Sequence, residues 1–227
     1  LSTTLVSKLS TDQIVALSAD QVKALTTAQV TSLTSDQLNS MASDDLQALT
    51  TAQVKALTTA QISTLSSAQV AVMETADIAT LSATQAEKLS TDAVAALTTA
   101  QIKVLTSAAL NALSSDQLAA LETDDVAALT TLQVSKLTTT QVSKLSTDQV
   151  VALTADQVKA LTTAQVASLT SEQLNNMASD DLQALTTTQV KALTTGQIGD
   201  LSSTQLSLME TADIATLSAT QAAKLST

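Results

Sequence analysis

Apolar residues return at two fixed places in every eight along this chain. Cut into octads from Leu1, the sequence keeps one register through twenty-eight units and a partial twenty-ninth. Position 1 is Leu, replaced by Met only at Met41, Met73, Met177 and Met209. Position 6 is Val, Ile or Leu except at Ala86 and Ala222. Position 2 is usually Ser or Thr and position 5 usually Gln, as in residues 49–56 (LTTAQVKA) and 145–152 (LSTDQVVA).

Three architectures are compatible with a period of eight. One continuous helix is excluded because eight residues overshoot two turns by about 80°, so the apolar stripe would wind around the axis and face nothing. A β-solenoid is excluded because a strand alternates with period two, and positions 1 and 6 have opposite parity. Its turns would also need Gly, Asn or Asp where the sequence has none. The pattern predicts the third architecture, an all-α solenoid of very short capped helices, one per octad. Each helix covers about six residues, and about three octads make a turn of the superhelix.

The polar positions support this independently. Ser or Thr at position 2 followed by Gln at position 5 has the spacing of a capping box, as in Thr50 with Gln53 and Thr162 with Gln165. All ten lysines fall at positions 7 or 8, and nineteen of the twenty-one acids at positions 2, 4 or 5. Acids at a helix start and cations at its end are what the helix dipole favours. A six-residue helix does not persist alone, since nucleation costs more than so few bonds return, so positions 1 and 6 must be buried against neighbouring coils.

A longer repeat overlies the octads. Residues 1–91 align with residues 137–227 at an offset of 136, seventeen octads, with 75 of 91 positions identical. In five units the hydroxyl and the Gln are lost together: Ala42 with Asp45, Glu74 with Asp77, Glu122 with Asp125, Ala178 with Asp181, and Glu210 with Asp213. The expectation is that the cap moves there to position 3, at Ser43, Thr75, Thr123, Ser179 and Thr211, with Asp at the helix N-terminus. The chain is read as a single continuous array over residues 1–227 and, because it starts at Leu1 and stops within an octad, as a piece of a longer polypeptide.

Composition narrows the function. The chain lacks Cys, His, Pro, Arg and every aromatic residue, and its net charge is −11. That balance argues against nucleic acid and against an anionic membrane surface. No apolar run is long enough for membrane insertion. Without His the serines have no usual base, and no Gly-rich phosphate loop exists, so the chain is expected not to be an enzyme and to carry no catalytic, cofactor or metal site. The pairs Asp44/Asp45, Asp124/Asp125 and Asp180/Asp181 have no glycine-containing calcium loop and read as charge at helix starts.

The units LTTAQVKA, LTTAQIST and LSTDQVVA resemble the L-[ST]-x-x-Q-[VIL]-x-x octapeptide arrays of very large bacterial surface and adhesin-like secreted proteins. The resemblance covers the whole chain. It implies an extracellular or cell-surface setting and a structural role, the shaft or spacer of a surface protein or an extracellular filament. The expected partner is the chain itself, through end-to-end or lateral stacking, with a glycan or another surface component as a further candidate. The alternative is an adhesive module that presents Ser and Thr ladders to glycan, ice or Ca2+.

Overall fold

A computed structural model describes residues 2–225 of the chain; Leu1 and the final Ser226 and Thr227 of the partial octad lie outside the described residues. Those described form twenty-eight α-helices of four to six residues and no strand, which is the all-α array the octad pattern predicts.

The way each octad ends explains its sequence. In the helix Thr51–Ala56, Thr50 is the N-cap and its side chain accepts from the backbone N–H of Gln53. The Gln53 carboxamide oxygen in turn accepts from the backbone N–H of Thr50 at 2.7 Å, which closes the capping box. At the other end Leu57 leaves the helix with φ −52° and ψ 134°. Its own N–H still reaches back to the Val54 carbonyl at 3.1 Å. Thr58 follows with φ −70° and ψ 157° and begins the next helix. After a six-residue helix, two extended residues at positions 1 and 2 make the connection, while shorter helices such as Thr11–Val15 first end on a right-handed residue, here Ala16. No described residue has a positive φ, so the turns need no glycine, and the chain contains only two.

Contacts gather into two compact units, Leu1–Leu121 and Glu122–Thr227. Within each unit a helix packs against the third before it and the third after it. Thr51–Ala56, for example, lies between Thr27–Thr31 and Thr75–Ile78. In the second unit Thr163–Ser168 lies against Thr139–Lys144 and Thr187–Ala192. This is the spacing expected of about three octads per turn.

The core is a layered stack of the two apolar positions. Val54, Val70, Ile102, Val134, Val166 and the other position 6 residues from Val6 to Ile198 are buried, as is the Leu or Met at position 1 from Leu33 to Leu193, whereas Leu206 and Ile214 are half-buried and Ala222 is exposed. Each such side chain contributes about 1.5–3 kcal/mol on burial, which offsets the cost of nucleating many short helices. Charge follows the dipole as expected: Asp148 and Asp156 sit in first turns, Lys55, Lys103 and Lys136 in last turns. Among the described residues one ion pair forms, Lys88 with its neighbour Glu87 at 3.0 Å, with both side chains half exposed.

The caps therefore carry local stability and the lysines little of it. Thr162→Ala should cost about 1 kcal/mol, seen as faster amide hydrogen exchange across residues 163–168. Lys159→Ala should stay within about 0.5 kcal/mol. Equal protection losses from the two changes would contradict the capping role.

Candidate functional site

The most informative position is the glutamine. Its capping role uses only the carboxamide oxygen, yet the residue is buried, 2% exposed at Gln53, Gln101 and Gln165. A buried amide must also satisfy its two N–H groups. Gln53 Nε2 donates to the Val22 carbonyl at 2.9 Å and to the Leu25 carbonyl at 2.7 Å, 31 and 28 residues earlier. The same pair recurs from Gln101 to Val70 and Met73, at 2.9 and 2.8 Å. It recurs in the second unit from Gln165 to Val134 and Leu137, at 2.8 and 2.7 Å, and from Gln189 to Val158 and Leu161.

Each of these glutamines thus joins its own helix start to the junction between two octads of the preceding coil. This bridge is the functional feature that capping logic misses. The sequence does hold a signal for it. Either Glu or Gln can close a capping box, but Glu never stands at position 5. Only the amide can donate to the carbonyls below.

The exceptions separate the two roles. Ala93 and Ala109 replace Gln, are fully buried, and leave the hydroxyl caps of Ser90 and Thr106 in place. In the five Asp units both are altered, and the expected shift of the cap to position 3 does not occur. The helices still begin at Ser43, Thr75, Thr123, Ser179 and Thr211, with Ala42, Glu74, Glu122, Ala178 and Glu210 as N-caps that make no side-chain cap bond. Moving the start by one residue would rotate the helix by about 100° and turn the position 6 side chain out of the core. The core fixes the register, and the cap is given up instead.

Asp at position 5 is short, buried and without an N–H. Asp45, Asp77, Asp125, Asp181 and Asp213 are 2–6% exposed. The Asp pairs are therefore split, since Asp44, Asp124 and Asp180 stand in solvent while their neighbours are buried. Among the described residues no group of three or more acidic side chains is arranged to hold a metal ion. Asp77 Oδ2 has no hydrogen-bond partner. Burial, with the nearby Glu74 charge adding to it, pushes the Asp77 carboxyl up to about 6. Burial also raises Asp125, where a backbone hydrogen bond at Glu122 opposes it, and raises Asp181 beside Asp180.

An open cleft of about 550 Å³ lies over one of these positions. It is lined by Lys159, Asp180, Gln183, Leu185, Glu210 and Asp213, with Ala155, Ala184, Thr186 and Thr187 completing its wall.

The Asp77 shift gives a pH dependence with a definite sign. The folded pKa of about 6 lies above the ordinary value of 3.8, so ionisation opposes folding. The penalty is absent below pH 3.8, grows between the two values and is complete above 6. Asp77→Gln should raise the melting temperature at pH 7 by about 2–4 °C, and the gain should shrink as pH falls to 4. Parallel thermal unfolding of the two proteins, followed by circular dichroism, checks this; a gain that does not change with pH would contradict it. In an interior Gln unit, Gln165→Ala removes both bridging bonds and the return bond of the cap, so it should destabilise more than Thr162→Ala, by about 2–3 kcal/mol.

The ALTTAQ repeat family matches residues 1–27, 38–73, 70–107, 95–122, 102–131, 118–155, 131–163 and 174–209, which together span most of the chain. The hexapeptide itself stands at residues 24–29, 48–53, 56–61, 96–101 and 160–165. It runs from the end of one octad, through the buried Leu and the capping hydroxyl, to the bridging Gln of the next. A search of the curated proteins returned no match. With its matches tiling the array and its bridging residue inside the motif, the chain belongs to the ALTTAQ repeat family.

Proposed function

We propose that this chain is the shaft or spacer of a bacterial surface protein or extracellular filament, with no catalytic role of its own. The observation that carries this reading is the uniformity of the glutamine bridge. The same bond, at the same offsets of 28 and 31 residues, seats Gln53, Gln101, Gln165 and Gln189 on the coil before. A unit added or lost among the Gln octads meets an equivalent seat. Length is then adjustable without disturbing a localised site, and the near-copy of residues 1–91 at 137–227 fits growth by duplication. Self-association follows the same physics, since any coil that presents amide donors or apolar side chains can stack on another copy.

Three measurements test the reading. Duplicating one 136-residue unit should leave helicity per residue unchanged and the unfolding midpoint no lower, while particle length in electron micrographs grows in proportion. Intact source cells should be labelled by antibody to the repeat and lose it to external protease. A repeat reached only after permeabilisation would refute the surface assignment. Sedimentation of the 227-residue chain should show association that grows with concentration, and a monomer at all concentrations would refute stacking.

The adhesive reading draws on a different observation. The Thr side chains Thr51, Thr99, Thr163 and Thr187 at position 3 are exposed, and position 2 already supplies the caps. A surface of that kind suits a glycan or an ordered polar face. Binding on a glycan array or measurable thermal hysteresis would favour it over a purely structural role.

A further inference from the structure

The cleft over Asp213 is a gap in the bridging pattern. By the offsets of 28 and 31, a Gln at position 213 would donate to the carbonyls of Leu185 and Leu182. Asp213 is one bond shorter and, when ionised, offers only acceptors. Leu185, whose carbonyl a Gln here would meet, lines the cleft. Asp213 is 6% exposed and also lines the cleft, and no described residue hydrogen-bonds its side chain. Asp180 and Glu210 add two more carboxylates to the wall, against one cation, Lys159.

The first unit repeats every residue of this wall 136 positions earlier, including Lys23, Asp44, Gln47, Leu49, Glu74 and Asp77. There the orphaned acceptor is explicit, since Asp77 is 2% exposed and its Oδ2 has no partner. The long repeat has copied the residues of the rim, and with them the buried aspartate.

We propose that each 136-residue unit carries a binding site for a primary ammonium group, centred on Asp213 and on Asp77. An ammonium restores what the missing amide supplied, N–H donors directed at acceptors, and adds the positive charge that a buried carboxylate lacks. It has three donors for the Asp carboxylate, the Leu carbonyl and a rim acid. A metal ion fits less well, because no three acidic side chains among the described residues are disposed to hold one. The occupant is a small organic amine of the diamine class, one end at the aspartate and the body in the open cleft.

The test is calorimetric titration of the 227-residue chain with cadaverine, with tetramethylammonium and CaCl2 as comparison probes. Cadaverine should bind saturably at two sites per chain. Asp213→Gln should leave one site, and Asp77→Gln with Asp213→Gln none. Gln is the repeat's own residue at this position, so these variants should keep the helicity and melt no lower than the parent chain, which verifies folding. Asp213→Asn, which cannot reach the carbonyls below, should retain the cleft but weaken the site at least about ten-fold through loss of charge. Lys159→Ala should tighten cadaverine binding several-fold at the Asp213 site by removing a like charge. Tetramethylammonium, a cation without N–H donors, should bind at least about ten-fold more weakly. The assignment is overturned if cadaverine shows no saturable binding, if the double Gln variant binds it unchanged, if tetramethylammonium binds as well, or if Ca2+ takes the two sites in its place.

Discussion

The interior Gln octads of this protein are each held by a carboxamide that bonds at both ends, as at Gln53, Gln101 and Gln165. The oxygen of Gln53 accepts from the N-cap backbone of its own helix, and the nitrogen donates to two carbonyls of the preceding coil. Local and long-range order therefore meet in a single side chain. The local bond sets where the helix begins; the distant pair sets where that beginning stands in the stack. An amide so placed has no polar atom left uncompensated, which is why it can sit among Leu and Val at 2% exposure.

The exceptions show which constraint dominates. In the Asp octads the hydroxyl cap and the bridge are both lost, yet the helix starts at the same position. The burial of positions 1 and 6 sets the register, and the polar bonds conform to it. The Ala octads make the same point, since Ala93 and Ala109 pack without voiding their caps. Missing bridges are tolerated one at a time because stability in a solenoid is summed over neighbouring coils. A site can therefore be placed in the stack at the cost of one bridge, and the buried, unpartnered Asp77 carboxylate occupies such a position.

The extended residues at positions 1 and 2 account for the composition. A helix that ends on an extended Leu, with its N–H still turned back to position 6, needs no left-handed glycine. The same Leu then drops into the core, so chain reversal and core formation use one residue. Aromatic residues have no place in layers this thin, where a Leu and a Val per octad already fill the interior.

Helix length, helix boundaries, the capping boxes and the dipole-ordered charges were legible in the sequence because all are set within eight residues. Ser or Thr at position 2, Gln at position 5 and Lys at the end of an octad act on their own helix, and repetition made each of them visible many times. The second half of the glutamine's role was not legible, since its partners lie 28 and 31 residues away and only coil geometry brings Val134 and Leu137 under Gln165. Nor could sequence place the Asp octads correctly. Read locally, loss of the hydroxyl moves the cap to Ser43 or Thr75; in three dimensions the core forbids that rotation and leaves Asp77 buried with an unpartnered oxygen. The sequence determined the repeating element, because that is a matter of short-range bonds and periodicity, while tertiary structure alone decided which polar groups are satisfied, because that depends on what the previous coil presents.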